Sequence, residues 1–141
     1  MTVEKSLQKA AEYFEGKKAF LFDMDGLIFD SERVFMEQLA VVMGERGYTL
    51  TKEIYCETLG VGGQRLVSIM QSHYGEEYPF REISHEAARR VNIVADTVGF
   101  GMKQEIAEVL EFLGGKNIPC AVASSTRSDM VRQYLVKAGL F

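Results

Sequence analysis

Residues 18–31 read Lys-Ala-Phe-Leu-Phe-Asp-Met-Asp-Gly-Leu-Ile-Phe-Asp-Ser, and no other stretch constrains the fold as strongly. The apolar run from Ala19 to Phe22 suits a buried parallel strand, and Asp23 and Asp25 follow it with one residue between. Gly26 then frees the backbone to turn sharply. Residues two apart on a strand share a face, so the two carboxylates can converge on one small volume at the strand's carboxyl end. In open α/β sheets that end is where ligands bind. Two such charges 4 Å apart repel by about 4 kcal/mol at an effective dielectric of about 20. The pair therefore calls for a cation between the acids or for different protonation states, and both are useful in phosphoryl transfer. A solvated acidic turn is the plain alternative. A calcium loop is excluded, because its sixth position needs Gly and counting from Asp23 gives Ile28.

A second apolar run, Ile118 to Ala123, carries Pro119 at its start, where a missing donor is tolerated, and predicts a second buried strand. About 100 positions separate the two acidic and hydroxylic strand ends, too many for a simple βαβ unit of about 30 residues. The intervening pattern explains the distance. From Ser31 to Val98 the periodicity is helical throughout. Val34, Phe35, Leu39, Val42 and Met43 stripe a first helix that stops near Gly44–Gly47, and 51–58 makes a short second one. A third continues from Arg65 to His73, with Leu66, Ile69 and Met70 inward. Pro79 breaks the chain, and 84–98 forms a fourth through Ala87, Ala88, Val91, Val94 and Val98. After Gly99-Phe100-Gly101 the α/β pattern resumes, with helices predicted over 103–114 and 127–138. The expected class is therefore α/β, with parallel strands at 18–23 and 118–124. Residues 1–30 and 99–141 make an incomplete core, and 31–98 an inserted all-helical domain. Ahead of it all, Val3, Leu7, Ala10, Ala11 and Phe14 predict an amphipathic helix over 3–15, ended by Gly16 and covering the core.

Composition removes several function classes. The chain has 141 residues, 47% of them hydrophobic, which suffices for a real core. Net charge is −4 and the basic residues are scattered, so nothing favours nucleic acid or an anionic membrane. No apolar run approaches the ~20 residues of a membrane helix. Cys56 and Cys120 lie far apart without metal spacing, and their apolar context predicts reduced, buried, structural thiols, which suits a cytoplasmic chain.

Phe-Asp-Met-Asp-Gly followed by Asp30-Ser31 resembles the first motif of the haloacid dehalogenase superfamily, in its β-phosphoglucomutase-like phosphatase branch. Ile118 to Thr126 resembles the second motif, in which a Ser or Thr ends the second strand, and Ser124 stands at that position. The 31–98 insert is similar to the family's helical cap. The resemblance implies that Asp23 is the nucleophile, forming an aspartyl-phosphate, and that Asp25 is the general acid and base. It also implies a Mg²⁺ held by the Asp23 carboxylate and the Asp25 carbonyl, with Ser124 and the N–H groups of Ser125 and Thr126 binding phosphate. Thr126 and Asp129 are spaced as a capping box for the helix that follows. An acid at Asp25 favours a phosphate ester over the other substrates of the superfamily.

Mutases of this branch carry a His where Phe35 stands and a Lys and an Arg in the cap loop, where this chain has Leu59-Gly60-Val61-Gly62-Gly63. Both departures favour a phosphatase acting on a small phosphorylated metabolite. Gly62, Gly63 and Arg65 are the cap residues expected near substrate, although Arg65 also reads as a helix-surface residue. The family's third and fourth motifs, a Lys and further acids, find no match up to Phe141. The chain is thus expected to be an amino-terminal portion with little activity alone. The alternatives are a non-catalytic module that self-associates through its incomplete sheet, and a phosphosugar mutase.

Overall fold

The computed structural model describes residues 15–140, so the helix expected over 3–15 lies, apart from Glu15, outside the described residues. Two strands, β1 (Phe20–Phe22) and β2 (Cys120–Val122), form a parallel pair with Phe20 opposite Cys120, Leu21 opposite Ala121 and Phe22 opposite Val122. The ladder is tied off by Phe20 N–H to the Pro119 carbonyl and Ala123 N–H to the Phe22 carbonyl, each at 2.9 Å. Both strands are shorter than the apolar runs that announce them, because among the described residues each has a partner on one side only.

Alternation along β1 separates the faces. Phe22 is buried, whereas Leu21 is 76% exposed. The covered face packs on α5 (Gln104–Gly115) through Ile106 and Leu113, and on α6 (Ser128–Lys137) through Tyr134 and Leu135. Cys120 sits on the short ladder without a further strand beside it and is exposed, and so is Cys56, contrary to the burial expected of both.

The segment between β1 and α1 (Ser31–Gly44) is pinned rather than loose. Met24 is fully buried, and its carbonyl accepts from Ile28 N–H at 3.0 Å and Phe29 N–H at 3.1 Å. Gly26 adopts φ +74° and donates to the Phe29 carbonyl at 3.0 Å. The positive φ is what calls for glycine, and a Cβ there would also press on Glu32 Cγ at 3.1 Å. Ile28 and Phe29, 1% exposed each, carry the chain through the core cluster before α1 begins.

The helices α1, α2 (Lys52–Thr58), α3 (Gly63–Tyr74) and α4 (Phe80–Thr97) share a second apolar cluster built on Leu39, Val42, Met43, Tyr55, Met70, Tyr78, Ile83 and Ala87. Helix α1 packs most extensively along α4. Helix α4 starts earlier than its periodicity suggests, at Phe80, because Pro79 takes the N-cap position, where a proline loses no helical hydrogen bond. Ala88 and Val98, expected inward, are exposed, Val98 by 85%. The helices at 51–58, 65–73, 103–114 and 127–138 are observed within a residue or two at each end. Among the described residues no helix is long and apolar enough to cross a membrane.

Two chain passages join the clusters, one on each side of the helical insert. Asp30 N–H donates to the Gly101 carbonyl at 2.9 Å, and Lys103 N–H to the Ile28 carbonyl at 3.0 Å, so the outgoing and returning strands brace each other. Lys137 of α6 donates to the carbonyls of Ala95 and Asp96 at 2.9 Å each, satisfying the last turn of α4 from the other cluster.

Candidate active site

Asp23 stands immediately after β1, exposed, with Oδ1 accepting the N–H of Met24 at 2.8 Å. Asp25 is half-buried and heavily engaged. The Ser31 hydroxyl donates to its Oδ1 at 2.9 Å, and Thr126 Oγ1 donates to its Oδ2 at 3.0 Å. Ser124 Oγ lies 3.4 Å from the same Oδ2, a looser contact across 99 positions of sequence. The ends of β1 and β2 thus meet at one carboxylate, and the start of α1 supplies the third hydroxyl. Ser31 is 7% exposed and also accepts from Gly26 N–H at 3.3 Å, so it locks the glycine turn and Asp25 together.

Ser124, expected to donate to a phosphoryl oxygen, accepts from Thr126 N–H at 3.0 Å and so shapes the β2–α6 turn. Ser125 is exposed beside it. The capping box expected of Thr126 and Asp129 is absent. Arg127 takes the N-cap position of α6 without a side-chain cap, and Asp129 pairs instead with the Arg127 guanidinium at 2.7 Å, which holds its carboxyl below the usual range. Thr126 is drawn away from capping because its hydroxyl serves the Asp25 carboxyl.

Asp25, Ser31 and Thr126 open onto a cavity of about 440 Å³ between the two clusters, a size ordinary for small-molecule sites. Helix α1 supplies Glu32 and Phe35, the passage between α2 and α3 supplies Leu59, Gly60 and Val61, and α4 supplies Val91 and Asn92. Gly60 and Val61 reach the wall, whereas Gly62, the N-cap of α3, and Gly63, its first residue, fall outside the lining, as do the exposed Arg65 and, of the expected catalytic and phosphate-binding residues, Asp23, Ser124 and Ser125. Glu32 is held by Tyr55, whose hydroxyl donates to Oε2 at 2.9 Å and contacts the Glu32 carbonyl at 3.3 Å. Burial first, then that hydrogen bond and the nearby negative charge, push the Tyr55 hydroxyl well above its ordinary pKa and keep it a donor.

Sequence reasoning named Asp23, Asp25 and Ser124 and missed Glu32, Tyr55 and Asn92. Ser31 closes the first motif and opens α1 six residues after Asp25, a separation that the glycine turn brings within hydrogen-bond reach.

No group of three or more His, Cys, Asp or Glu side chains among the described residues could hold a metal ion. The Asp23 carboxylate stands exposed at the end of β1, and the Asp25 carbonyl follows it two residues on. These hard oxygens suit Mg²⁺, which commonly binds through one or two carboxylates and keeps several waters.

Residues 20–141 match the family model described as haloacid dehalogenase-like hydrolase. Over 111 residues the chain is 27% identical to a Drosophila melanogaster protein named probable pseudouridine-5'-phosphatase, covering 79% of this chain and 47% of that one. It is also 27% identical over 114 residues to a phosphorylated carbohydrates phosphatase of Thermotoga maritima, covering 77% and 50%. The chain therefore spans about half the length of the curated relatives it matches. Among solved structures, a HAD family hydrolase from Deinococcus radiodurans R1 with bound phosphate and sodium superposes at TM-score 0.70 and 25% identity, covering 87% of this chain and 53% of that one. A haloacid dehalogenase-like protein from Agrobacterium tumefaciens superposes at 0.73 and 18%, covering 89% and 55%, a likeness of fold. The α/β architecture is thus part of a Rossmann-like core carrying a helical insert, and the chain belongs to the haloacid dehalogenase-like hydrolase family.

Proposed function

We propose that this chain carries the nucleophile, the acid–base group and the cap of a Mg²⁺-dependent phosphatase that hydrolyses small phosphorylated metabolites through an aspartyl-phosphate. The observation that carries the reading is the meeting of the two strand ends at Asp25, with Asp23 exposed at the end of β1. The phosphatase names of the two relatives support the same chemistry. Residues 31–98 serve as the cap and 1–30 with 99–141 as the core, a division that the two apolar clusters support except at Ala95, which packs with the core cluster.

Asp23 attacks phosphorus in line with the leaving oxygen, and its exposure leaves the carboxylate accessible to a dianion. Asp25 protonates the leaving oxygen and afterwards takes a proton from the water that hydrolyses the intermediate. Ser31 and Thr126 orient it by holding one oxygen each. Ser124 and the N–H of Ser125 bind the phosphoryl oxygens, with Ser124 exchanging its long contact to Asp25 for the substrate. Gly62, Gly63 and Arg65 stay at the rim beside the cap loop and contact substrate only if that loop moves inward. The Asp23 carboxylate and the Asp25 carbonyl would hold Mg²⁺, which when bound would neutralise charge between nucleophile and phosphate. No Lys or Arg is among the described residues lining the cavity, so turnover by this chain alone is slow and the mutase reading loses support.

The test is p-nitrophenyl phosphate hydrolysis with and without Mg²⁺, beside Asp23→Asn and with intact mass on the same preparation. Slow, Mg²⁺-dependent turnover lost in the variant supports the reading. Turnover indifferent to Asp23→Asn overturns it, and fast turnover lost in the variant overturns only the weakness assigned to the chain alone.

A further inference from the structure

Beyond the phosphoryl end, the cavity states what the rest of the substrate must be. Its wall combines apolar side chains, Phe35, Leu59, Val61, Val91, Phe100 and Met130, with a small polar set, Glu32, Asn92 and Thr58. The described lining contains two carboxylates, Asp25 and Glu32, and no Lys, Arg or His. Tyr55 occupies Oε2 of Glu32, and Oε1 takes no hydrogen bond from a described residue. An ionised carboxylate accepts and cannot donate, so the group it meets in a filled site must be a donor. A second anion there would face Glu32 with no cation to offset it, in a cleft that a bound ligand makes drier.

We propose that the cavity selects phosphate monoesters whose leaving group is uncharged or cationic and presents hydroxyl or amine donors beside an apolar face. Glu32 is the residue that reads the donor. Tyr55 is its positioning residue, holding one carboxylate oxygen so that the other faces the cavity. Esters carrying a carboxylate or a second phosphate are rejected. This rests on the phosphatase reading above and adds to it a specificity residue and a substrate class. A merely structural Glu32 would tie α1 to α2 through Tyr55 and leave discrimination among esters untouched.

Binding tests this independently of turnover. Isothermal titration with Mg²⁺ present compares inorganic phosphate, ribose 5-phosphate, 2-aminoethyl phosphate and 3-phosphoglycerate on the wild type, Glu32→Gln and Tyr55→Phe. The polyol and amine esters are expected to bind at least about tenfold tighter than the acidic ester on the wild type. Glu32→Gln should shrink that ratio to about threefold or less, while inorganic phosphate binds as before. Tyr55→Phe, which keeps the carboxylate but releases its anchored oxygen, should lower the ratio part of the way, and a ratio unchanged in this variant overturns the positioning assigned to Tyr55. A ratio near one on the wild type, or a ratio that survives Glu32→Gln, overturns the assignment of Glu32 and leaves the phosphatase reading standing. Failure of every ester and of phosphate to bind overturns both.

Discussion

Ser31→Ala removes a small atom from a crowded electrostatic position, and its cost can be worked from the contacts. The hydroxyl is 7% exposed, donates to Asp25 Oδ1 at 2.9 Å and accepts from Gly26 N–H at 3.3 Å. A hydrogen bond to a charged group contributes about 1.5–3 kcal/mol. Two compensations pull the loss to the lower end of that range. Gly26 N–H keeps its 3.0 Å bond to the Phe29 carbonyl, and Asp25 keeps the Thr126 hydroxyl at 3.0 Å. The expected loss is about 1.5–2 kcal/mol, which at a urea slope of about 1–3 kcal/mol per molar lowers the unfolding midpoint by roughly 1 M with the slope unchanged. Ser68→Ala is the matched control. Its exposed hydroxyl only back-bonds the Gln64 carbonyl at 3.0 Å, and its removal should stay within about 0.5 kcal/mol. If Ser31→Ala proves no costlier than Ser68→Ala, the hydroxyl does not hold Asp25 and the positioning assigned to it is wrong.

Leu113→Ala, at a fully buried core position on α5, should cost about 2–5 kcal/mol in the same urea titration. Lys137→Met should cost about 1 kcal/mol and speed hydrogen exchange at the amides of Val98 and Gly99, because the carbonyls at the end of α4 lose their cap from α6. Hydrogen bonds from Arg89 and then Arg90 hold the Glu86 carboxyl down to about 2 from its ordinary 4.5. A lowered pKa adds stability above the ordinary value and loses it as pH falls toward the folded one, so Glu86→Gln should flatten the acid limb of stability between pH 4.5 and about 2. Self-association through the exposed sheet face predicts a mass in light scattering that rises with concentration for the wild type and not for Leu21→Lys.

The elements legible in the sequence were those whose signal is local. The Phe20–Phe22 and Cys120–Val122 strands and the helical stripes through Val42 and Ile106 follow from apolar spacing alone. What escaped depended on partners distant in sequence. Cys120 reads as core until the ladder is seen to stop beside it, and Thr126 reads as a cap until Asp25 is found within reach from 101 positions away. Pro79 reads as a break, although as an N-cap it begins α4. The acid pair was visible because Asp23 and Asp25 sit on one strand end. The pocket was not, since Glu32, Tyr55 and Asn92 come from three helices that only packing brings together.

Trapping the covalent intermediate goes straight to Asp23. Asp25→Asn is mixed with Mg²⁺ and p-nitrophenyl phosphate, whose leaving group needs no proton, then quenched in acid and weighed by intact-mass spectrometry. Without its base the variant should accumulate one phosphoryl group, located on Asp23 by peptide mapping and absent when Asp23→Asn is added. No adduct, or an adduct that persists without Asp23, would contradict the assignment of this carboxylate as the nucleophile.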